Sequence, residues 1–285
     1  MTDLDTNSAI APPQMLKRAS DIGKSKARLQ ILPLMLLSIL AGAYIAFGGV
    51  FSTVVATGMM GNSPYGVMKT LQGLVFSLGL ILVVVGGAEL FTGNMLMVIA
   101  WASRKISLWQ LLRNWGLVYL GNFIGSLLIA GLMILARTYT FSSGELGKTM
   151  LSIANSKLNY SFSQALALGI LCNILVCLAV WLSYAAKNTT DKIIAVIFPI
   201  TAFIAAGFEH CVANMYLIPV AILLQVFDPG FVTATNLPAS LLNWSDFIQN
   251  NLLPVTLGNI LGGAFFVALI YFLIYINHPE VRDSE

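Results

Sequence analysis

The sequence predicts an all-α integral membrane protein with six transmembrane helices, arranged as an inverted 3+3 repeat with helices 2 and 5 broken at the bilayer midplane. Three observations predict this fold class: an apolar composition, six long apolar stretches and two motifs that each occur twice. The chain of 285 residues is 58% hydrophobic and only 9% charged, whereas about a quarter of an average soluble domain is charged. Lipid is therefore expected to cover most of its surface.

The apolar stretches set the number of spans. About 20 residues of helix cross the hydrocarbon core of a bilayer. The second and fifth stretches are too long for one uninterrupted helix, and polar residues interrupt each of them near its middle. We therefore expect a break in both. The six stretches are 31–55, 68–102, 109–136, 162–186, 193–226 and 252–276.

The distribution of Lys and Arg predicts the orientation. These residues collect in the N-terminal segment and in every second connection after it. Because cytoplasmic loops are enriched in basic residues, we expect both termini to be cytoplasmic. The net charge of +3 follows from this topology and gives no support for nucleic acid as a partner. The predicted parts are a cytoplasmic N-terminal segment (1–30), a first three-helix repeat (31–137), a periplasmic connection (138–160), a second three-helix repeat (161–276) and a cytoplasmic tail (277–285).

Two motifs recur in the same order in both halves. Gly, Glu, Asn and Met stand at identical spacing within 87–95 and within 207–215, inside spans two and five. The motif Leu-Gly-Asn-x-x-Gly occurs at 120–125 in span three and at 257–262 in span six. Since each copy contains three spans, the second copy must enter the membrane from the opposite side. Inverted halves of this kind are typical of transport proteins.

The Leu-Gly-Asn-x-x-Gly motif is typical of helix packing. Glycines four residues apart lie on one helix face and let two backbones approach closely. The asparagine beside them could hydrogen-bond across such a contact, and direct lining of a pore is the alternative. The predicted packing residues are Gly121, Asn122, Gly125, Gly258, Asn259 and Gly262.

Each break contains a carboxylate at membrane depth, where an ionisable group is costly and usually functional or paired. The glycine before each one lets the backbone leave helical geometry. The freed amides then need acceptors, and a carboxylate accepts several N–H bonds. We therefore interpret Glu89 and Glu209, with Asn94 and Asn214, as clamps that hold the two loops. Binding of a transported ion is the alternative.

The centre of the predicted pore favours an anion. Half-helices beginning near Met95 and Val212 would direct N-termini, with their partial positive charge and unpaired N–H groups, towards the centre. His210 lies in the second loop and could donate to an anion or exchange a proton near physiological pH. Thr92 lies in the first loop and could face it across the pathway, or cap the local helix.

Apolar side chains around these loops could form constrictions on either side of the polar centre. Such constrictions exclude hydrated ions and bulk water. Ordinary packing in the helix bundle is the alternative for each residue. The candidates are Phe76, Leu80, Leu90, Phe91, Val176 and Phe203.

At these residues the chain resembles the formate/nitrite transporter family, and most closely its formate channels. Residues 84–93, Val-Val-Gly-Gly-Ala-Glu-Leu-Phe-Thr-Gly, are similar to the family's first signature, and residues 169–179 to its second. Residues 207–214, Gly-Phe-Glu-His-Cys-Val-Ala-Asn, resemble the broken fifth helix with its central histidine. The resemblance covers about residues 11–276.

The resemblance implies an aquaporin-like protomer, a homopentamer with one pore per subunit, and transport of formate and similar small monovalent anions across the bacterial inner membrane without a cofactor. The family's central histidine falls on His210, its loop threonine on Thr92 and the associated asparagine on Asn173. The family's pore constrictions fall on five of the six apolar candidates above, all except Leu90. Its outer basic position falls on Lys157, which could draw anions into the vestibule. Glu89 stands where formate channels often have Asp.

The leading hypothesis is bidirectional passage of formate, as the anion or as formic acid after protonation near His210. Nitrite or hydrosulfide as the principal substrate is an alternative within transport. A membrane enzyme or a non-transporting anchor subunit is an alternative from another class, because Glu89, Glu209 and His210 could supply acid–base groups. The sequence shows no metal-ligand cluster, nucleophile motif or phosphate-binding loop that would favour an enzyme.

Overall fold

The computed structural model describes residues 9–238 and 242–279. The extreme ends of the predicted N-terminal segment and tail, residues 1–8 and 280–285, lie outside this range. All regular secondary structure in the described residues is helical. The helices are α1 (Pro12–Ala27), α2 (Ile31–Ala56), α3 (Tyr65–Gly86), α4 (Val98–Ala102), α5 (Leu108–Leu135), α6 (Glu145–Leu158), α7 (Phe162–Ala185), α8 (Thr189–Ala205), α9 (Cys211–Leu217), α10 (Pro219–Phe227), α11 (Pro229–Ala234) and α12 (Trp244–Tyr275).

Five of these helices are long and apolar enough to cross a membrane: α2, α3, α5, α7 and α12. The helix α8 is a little shorter, at 17 residues. Shorter apolar helical segments follow α3 at Gly93–Ala102 and α8 at Cys211–Phe227. Helices α5 and α8 expose large apolar side chains such as Leu132 and Phe198, which are 60% and 74% exposed. Such faces require lipid or another apolar partner, and the prediction of an all-helical integral membrane protein is confirmed.

A glycine in the left-handed conformation follows both α3 and α8. Gly87 has a φ of 76° and Gly207 a φ of 74°. Side chains disfavour this region, so glycine allows the chain to turn out of the helix without strain. The chain becomes helical again at Gly93, first as a 3₁₀ turn over Gly93–Met97, and at Cys211, the start of α9. The sequence predicted these restarts near Met95 and Val212.

The predicted packing glycines lie where long helices cross. Gly121 and Gly125 place α5 directly against the backbone of α2, and a Cβ at Gly125 would overlap an α2 carbonyl oxygen. Gly258 and Gly262 place α12 against α7 in the same way. Close contact of two backbones gains dispersion energy that lipid cannot match, since there is no hydrophobic force between helices in a bilayer.

Two helices lie where the sequence analysis expected only connecting segments. The helix α1 occupies the predicted N-terminal segment and buries one face, including Met15 and Leu16. Arg18 fastens it to α7 by donating from Nη1 to the Tyr184 carbonyl at 2.9 Å. The helix α6 occupies the predicted connection between the halves. Both helices are too polar to register in a search for long apolar stretches.

Gly125→Ala is expected to lower the thermal stability of the purified protein in detergent, because the added methyl group meets the α2 backbone. Overpacking of this kind costs about 1–3 kcal/mol. Gly131→Ala is the matched control on the same helix, since nothing lies within 4 Å of the place that its added methyl group would take. This control should be neutral or stabilising. Equal melting temperatures for the two variants would contradict this account of the α2–α5 contact.

Candidate pore and its central site

Thr92 and His210 meet at the centre of the molecule. The Thr92 Oγ1 and His210 Nε2 atoms are 2.8 Å apart, a hydrogen-bonding distance. Both side chains are buried, with exposures of 0% and 3%. Each belongs to one of the two non-helical loops, so the pair joins the two interrupted segments. The sequence analysis predicted this approach as one of two roles for Thr92.

The other ring nitrogen sets the proton arrangement of this pair. His210 Nδ1 accepts a hydrogen bond from the Ala213 backbone N–H at 3.0 Å, as the N-cap of α9. An accepting Nδ1 carries no proton, so in the neutral ring Nε2 carries it and donates to Thr92 Oγ1. The Thr92 hydroxyl proton is then directed elsewhere. The Thr92 hydroxyl is therefore left with one O–H that can donate to a further acceptor.

Asn173 supports the backbone of the first loop. Its Nδ2 donates to the Thr92 carbonyl at 3.3 Å and to the Asn259 carbonyl at 2.6 Å. Its Oδ1 is buried and has no hydrogen-bond partner among the described residues. The thiol of Cys177 also donates to the Thr92 carbonyl, at 3.3 Å. The resemblance associated Asn173 with the histidine, but its described hydrogen bonds go to Thr92 and α12.

Two asparagines tie the loops to the long helices. Asn122 Oδ1 accepts from the Phe91 N–H at 2.9 Å, and its Nδ2 donates to the Glu89 carbonyl at 2.9 Å. Asn259 does the same in the second loop, with the Cys211 N–H at 2.9 Å and the Glu209 carbonyl at 3.0 Å. Each also donates to a carbonyl of the neighbouring helix, α2 or α7. These asparagines were predicted from a packing motif, and their contacts show that they also satisfy the broken backbone.

The two glutamates hold side chains rather than loop amides. Glu89 accepts from Lys26 at 2.7 Å and from Asn94 Nδ2 at 2.8 Å. Glu209 accepts from a lysine of α6 and from the amide of Asn214, both at 2.7 Å. The expectation that these carboxylates collect the freed N–H groups is therefore corrected. Asn122 and Asn259 already accept hydrogen bonds from freed N–H groups, whereas a buried carboxylate needs a cationic partner.

Sequence reasoning missed three residues of this network. Lys26 lies in α1, which was taken as a connecting segment, and pairs with Glu89. Asn114 Oδ1 and Asn251 Oδ1 accept from the repeated Asn94 and Asn214 amides at 2.8 and 2.7 Å. Asn114 precedes Asn122, and Asn251 precedes Asn259, by the same eight positions, about two helical turns. That shared spacing was a signal that a longer alignment of the two halves would have found.

Two cavities approach the central pair from opposite sides. The larger, about 770 Å³, is lined by α1 and extends to Leu80 and Leu90. We call it the α1-side cavity. The smaller, about 150 Å³, is lined by α3 and α6 and extends to Phe76. We call it the α6-side cavity. Phe76 and Leu80 are one turn apart on α3, about 6 Å, so the barrier between the cavities is thin.

The predicted constrictions divide into two groups. Phe76 packs edge-on against Phe203 with ring centroids 5.7 Å apart, and Phe203 stacks on His210 at 5.9 Å. Phe76 lines the α6-side cavity, and Phe203 lies behind it against His210, so Phe76 closes this cavity on the side of the histidine. Phe91 instead packs against Tyr119 of α5 at 4.8 Å and lines neither cavity. Val176 is buried and also lines neither.

Comparison with known proteins identifies the class to which this helical fold and buried centre belong. The family description "Formate/nitrite transporter" matches residues 13–273. The chain therefore belongs to the formate/nitrite transporter family, which confirms the family predicted from its motifs. Since this is a family of transporters, family membership also favours the interpretation that the chain is not an enzyme.

Individual relatives can then be named. Formate channel FocA of Escherichia coli strain K12 is 43% identical over 275 residues, which cover 95% of this chain and 96% of that protein. A probable formate transporter of Methanothermobacter thermautotrophicus is 39% identical, with 94% of this chain and 97% of that protein covered. The solved structure of a pentameric formate channel with formate bound matches with a TM-score of 0.81 and 48% identity, over 87% of this chain and 98% of that one.

Lys157→Met is expected to lower the melting temperature by about 5–10 °C, because it leaves Glu209, 2% exposed, without its cation. Removing one partner of a buried pair costs about 3–5 kcal/mol. The double variant with Glu209→Gln should recover part of the loss. Lys148→Met, which removes an exposed pair with Glu145, is the control and should change little. A Lys157→Met protein as stable as this control would show that the pair does not stabilise the loop.

Proposed function

We propose that this chain conducts formate and similar small monovalent anions across the bacterial inner membrane, through a pore centred on Thr92 and His210. The single observation that carries the proposal is the buried hydroxyl–imidazole pair, which joins two interrupted helices between two opposing cavities. The named relatives include formate channels of 43% identity or more. They support formate as the first substrate to test.

We further propose six membrane crossings in an aquaporin-like inverted repeat, with the second and fifth broken at the midplane. Both halves use the same contacts in the same order. In each, a motif asparagine holds a loop, the loop glutamate pairs with a lysine of a flanking amphipathic helix, and the glutamate N–H donates to a carbonyl of α2 or α7. The repeating unit then includes α1 and α6 as well as the proposed three-helix repeats 31–137 and 161–276.

The proposed arrangement in the membrane follows from charge and from the relatives. The basic N-terminal segment and tail would be cytoplasmic, and the connection 138–160 periplasmic. The solved structure at 48% identity is a pentamer, so we propose a homopentamer with one pore in each subunit. The apolar outer faces of the long helices supply the surfaces that subunits and lipid would cover.

The layout accounts for selection of small anions. The Thr92 hydroxyl can donate to a carboxylate oxygen, and basic residues such as Lys17 and Lys69 line the two cavities. The rings of Phe76 and Phe203 close one side and leucines the other. A hydrated ion cannot pass such apolar contacts, and a bare anion pays a large desolvation cost there.

Protonation would lower that cost. Transfer of a proton from an imidazolium to formate yields formic acid and neutral imidazole, which conserves charge and atoms. Neutral His210 cannot be the donor, since loss of the Nε2 proton would leave an imidazolate. His210 must therefore be protonated at Nδ1 first, which breaks the bond to the Ala213 N–H. Proton coupling thus requires a transient loosening of the α9 N-terminus.

Formate uptake into proteoliposomes is expected to rise as the external pH falls from about 8 to about 5.5, because a larger inward proton gradient drives uptake that is coupled to a proton-carrying histidine. His210→Phe should abolish this pH dependence because it removes the proton donor. His278→Phe changes the only other histidine of the chain, which lies after α12, and should keep the dependence. Undiminished proton-coupled uptake by His210→Phe would rule out this role.

Nitrite or hydrosulfide remains a candidate for the principal substrate, because one hydroxyl donor does not distinguish a carboxylate from another small anion. Uptake of labelled formate should be inhibited by unlabelled formate at a lower concentration than by nitrite or hydrosulfide. The assay uses proteoliposomes at fixed pH and ionic strength. Stronger inhibition by nitrite or hydrosulfide would reverse this substrate order without affecting the proposal of an anion pore.

A further inference from the structure

The family resemblance implied that Lys157 attracts anions at the α6-side cavity, but Glu209 already balances the charge of this lysine. Lys157 Nζ lies 2.7 Å from Glu209 Oε1, and the two side chains are 15% and 2% exposed. A pair this close presents a dipole rather than a net charge to an approaching anion. Its attraction therefore falls off steeply with distance, so Lys157 is poorly suited to act as the first capture point.

Another lysine lines the same cavity without a carboxylate partner. Lys69 lies in the first turns of α3, and its Nζ sits 5.7 Å from the centroid of the Tyr65 ring. No carboxylate of the described residues lies within 4.0 Å of it. Apart from the Lys157–Glu209 pair, it is the only charged side chain among the described residues that line the cavity. The unbalanced charge of this cavity is thus the charge of Lys69.

Lys69 also stands at the start of a path that leads inward. Gln72 and Phe76 follow it at three and seven positions along α3, which places all three on one helix face. All three line the α6-side cavity. Gln72 is buried, and its Nε2 donates to the Ser52 carbonyl at 3.4 Å. An anion held at Lys69 would be about two helical turns from the Phe76 ring that closes the centre.

We propose that Lys69 is the residue that captures small monovalent anions at the α6-side mouth, and that the Lys157–Glu209 pair mainly holds the second loop. The inference rests on the proposed function and identifies which residue sets anion entry from this side. A single charge in a cavity with low-dielectric walls raises the local concentration of anions, and salt screens this effect.

The test varies the charge at this position within one folded protein. The full-length Lys69→Cys variant is reconstituted and treated with thiol reagents of similar size that attach a trimethylammonium or a sulfonate group. Both reagents are membrane-impermeant, so they reach only molecules whose α6-side mouth faces outward. The three native cysteines, Cys172, Cys177 and Cys211, are buried, so the parent chain treated with each reagent is the matched control.

At low salt and sub-saturating formate, uptake by the cation-modified protein should exceed uptake by the sulfonate-modified protein by about threefold or more. The difference should shrink in about 1 M salt, where the screening length is about 3 Å. The same reagents on Lys148→Cys, outside the cavity lining, should leave uptake unchanged.

Equal uptake with either reagent, in vesicles where the parent chain transports formate, would overturn the role of Lys69 and leave the proposed function intact. If the parent chain itself transports no formate, the proposed function fails and the inference fails with it.

Discussion

The cost of unpaired backbone groups in the membrane constrains this structure more than any other factor. Each helix break frees N–H and C=O groups, and lipid offers them no partner. The protein meets this cost with Asn122 and Asn259, whose amides accept from one freed N–H and donate to two carbonyls. Because each asparagine sits beside packing glycines, the helix contact and the loop support are built from the same short segment.

A second tier of contacts lies outside this one. Each loop glutamate binds a lysine from an amphipathic helix and an asparagine of the helical segment that follows the loop, and this asparagine in turn donates to a further asparagine of α5 or α12. The flanking helices α1 and α6 are thereby connected to the loops that carry Thr92 and His210. This accounts for their packed positions despite their polar composition, and it couples both mouths to the centre through few bonds.

Periodic and repeated features were readable from the sequence, whereas contacts between distant segments were not. The duplicated Gly-x-Glu motif predicted interruptions at the points where α3 and α8 end, and the loop residues then predicted Thr92 opposite His210. The partner of Glu89 was missed because Lys26 lies on a helix with few apolar residues, in a segment treated as a basic tail. The carboxylates were assigned to the freed amides because nothing in the local sequence shows that asparagines from α5 and α12 reach those amides first.

The two loops share their backbone support but differ in their central side chains. His210 occupies the position that Leu90 holds in the first loop, just as Thr92 corresponds to Val212. Except for His210, which also caps α9, the side chains that set the chemistry are thus distinct from those that maintain the scaffold. Substrate preference could therefore change by single exchanges at Leu90, Thr92 or Val212 without loss of a scaffold contact, whereas an exchange at His210 would also remove a helix cap.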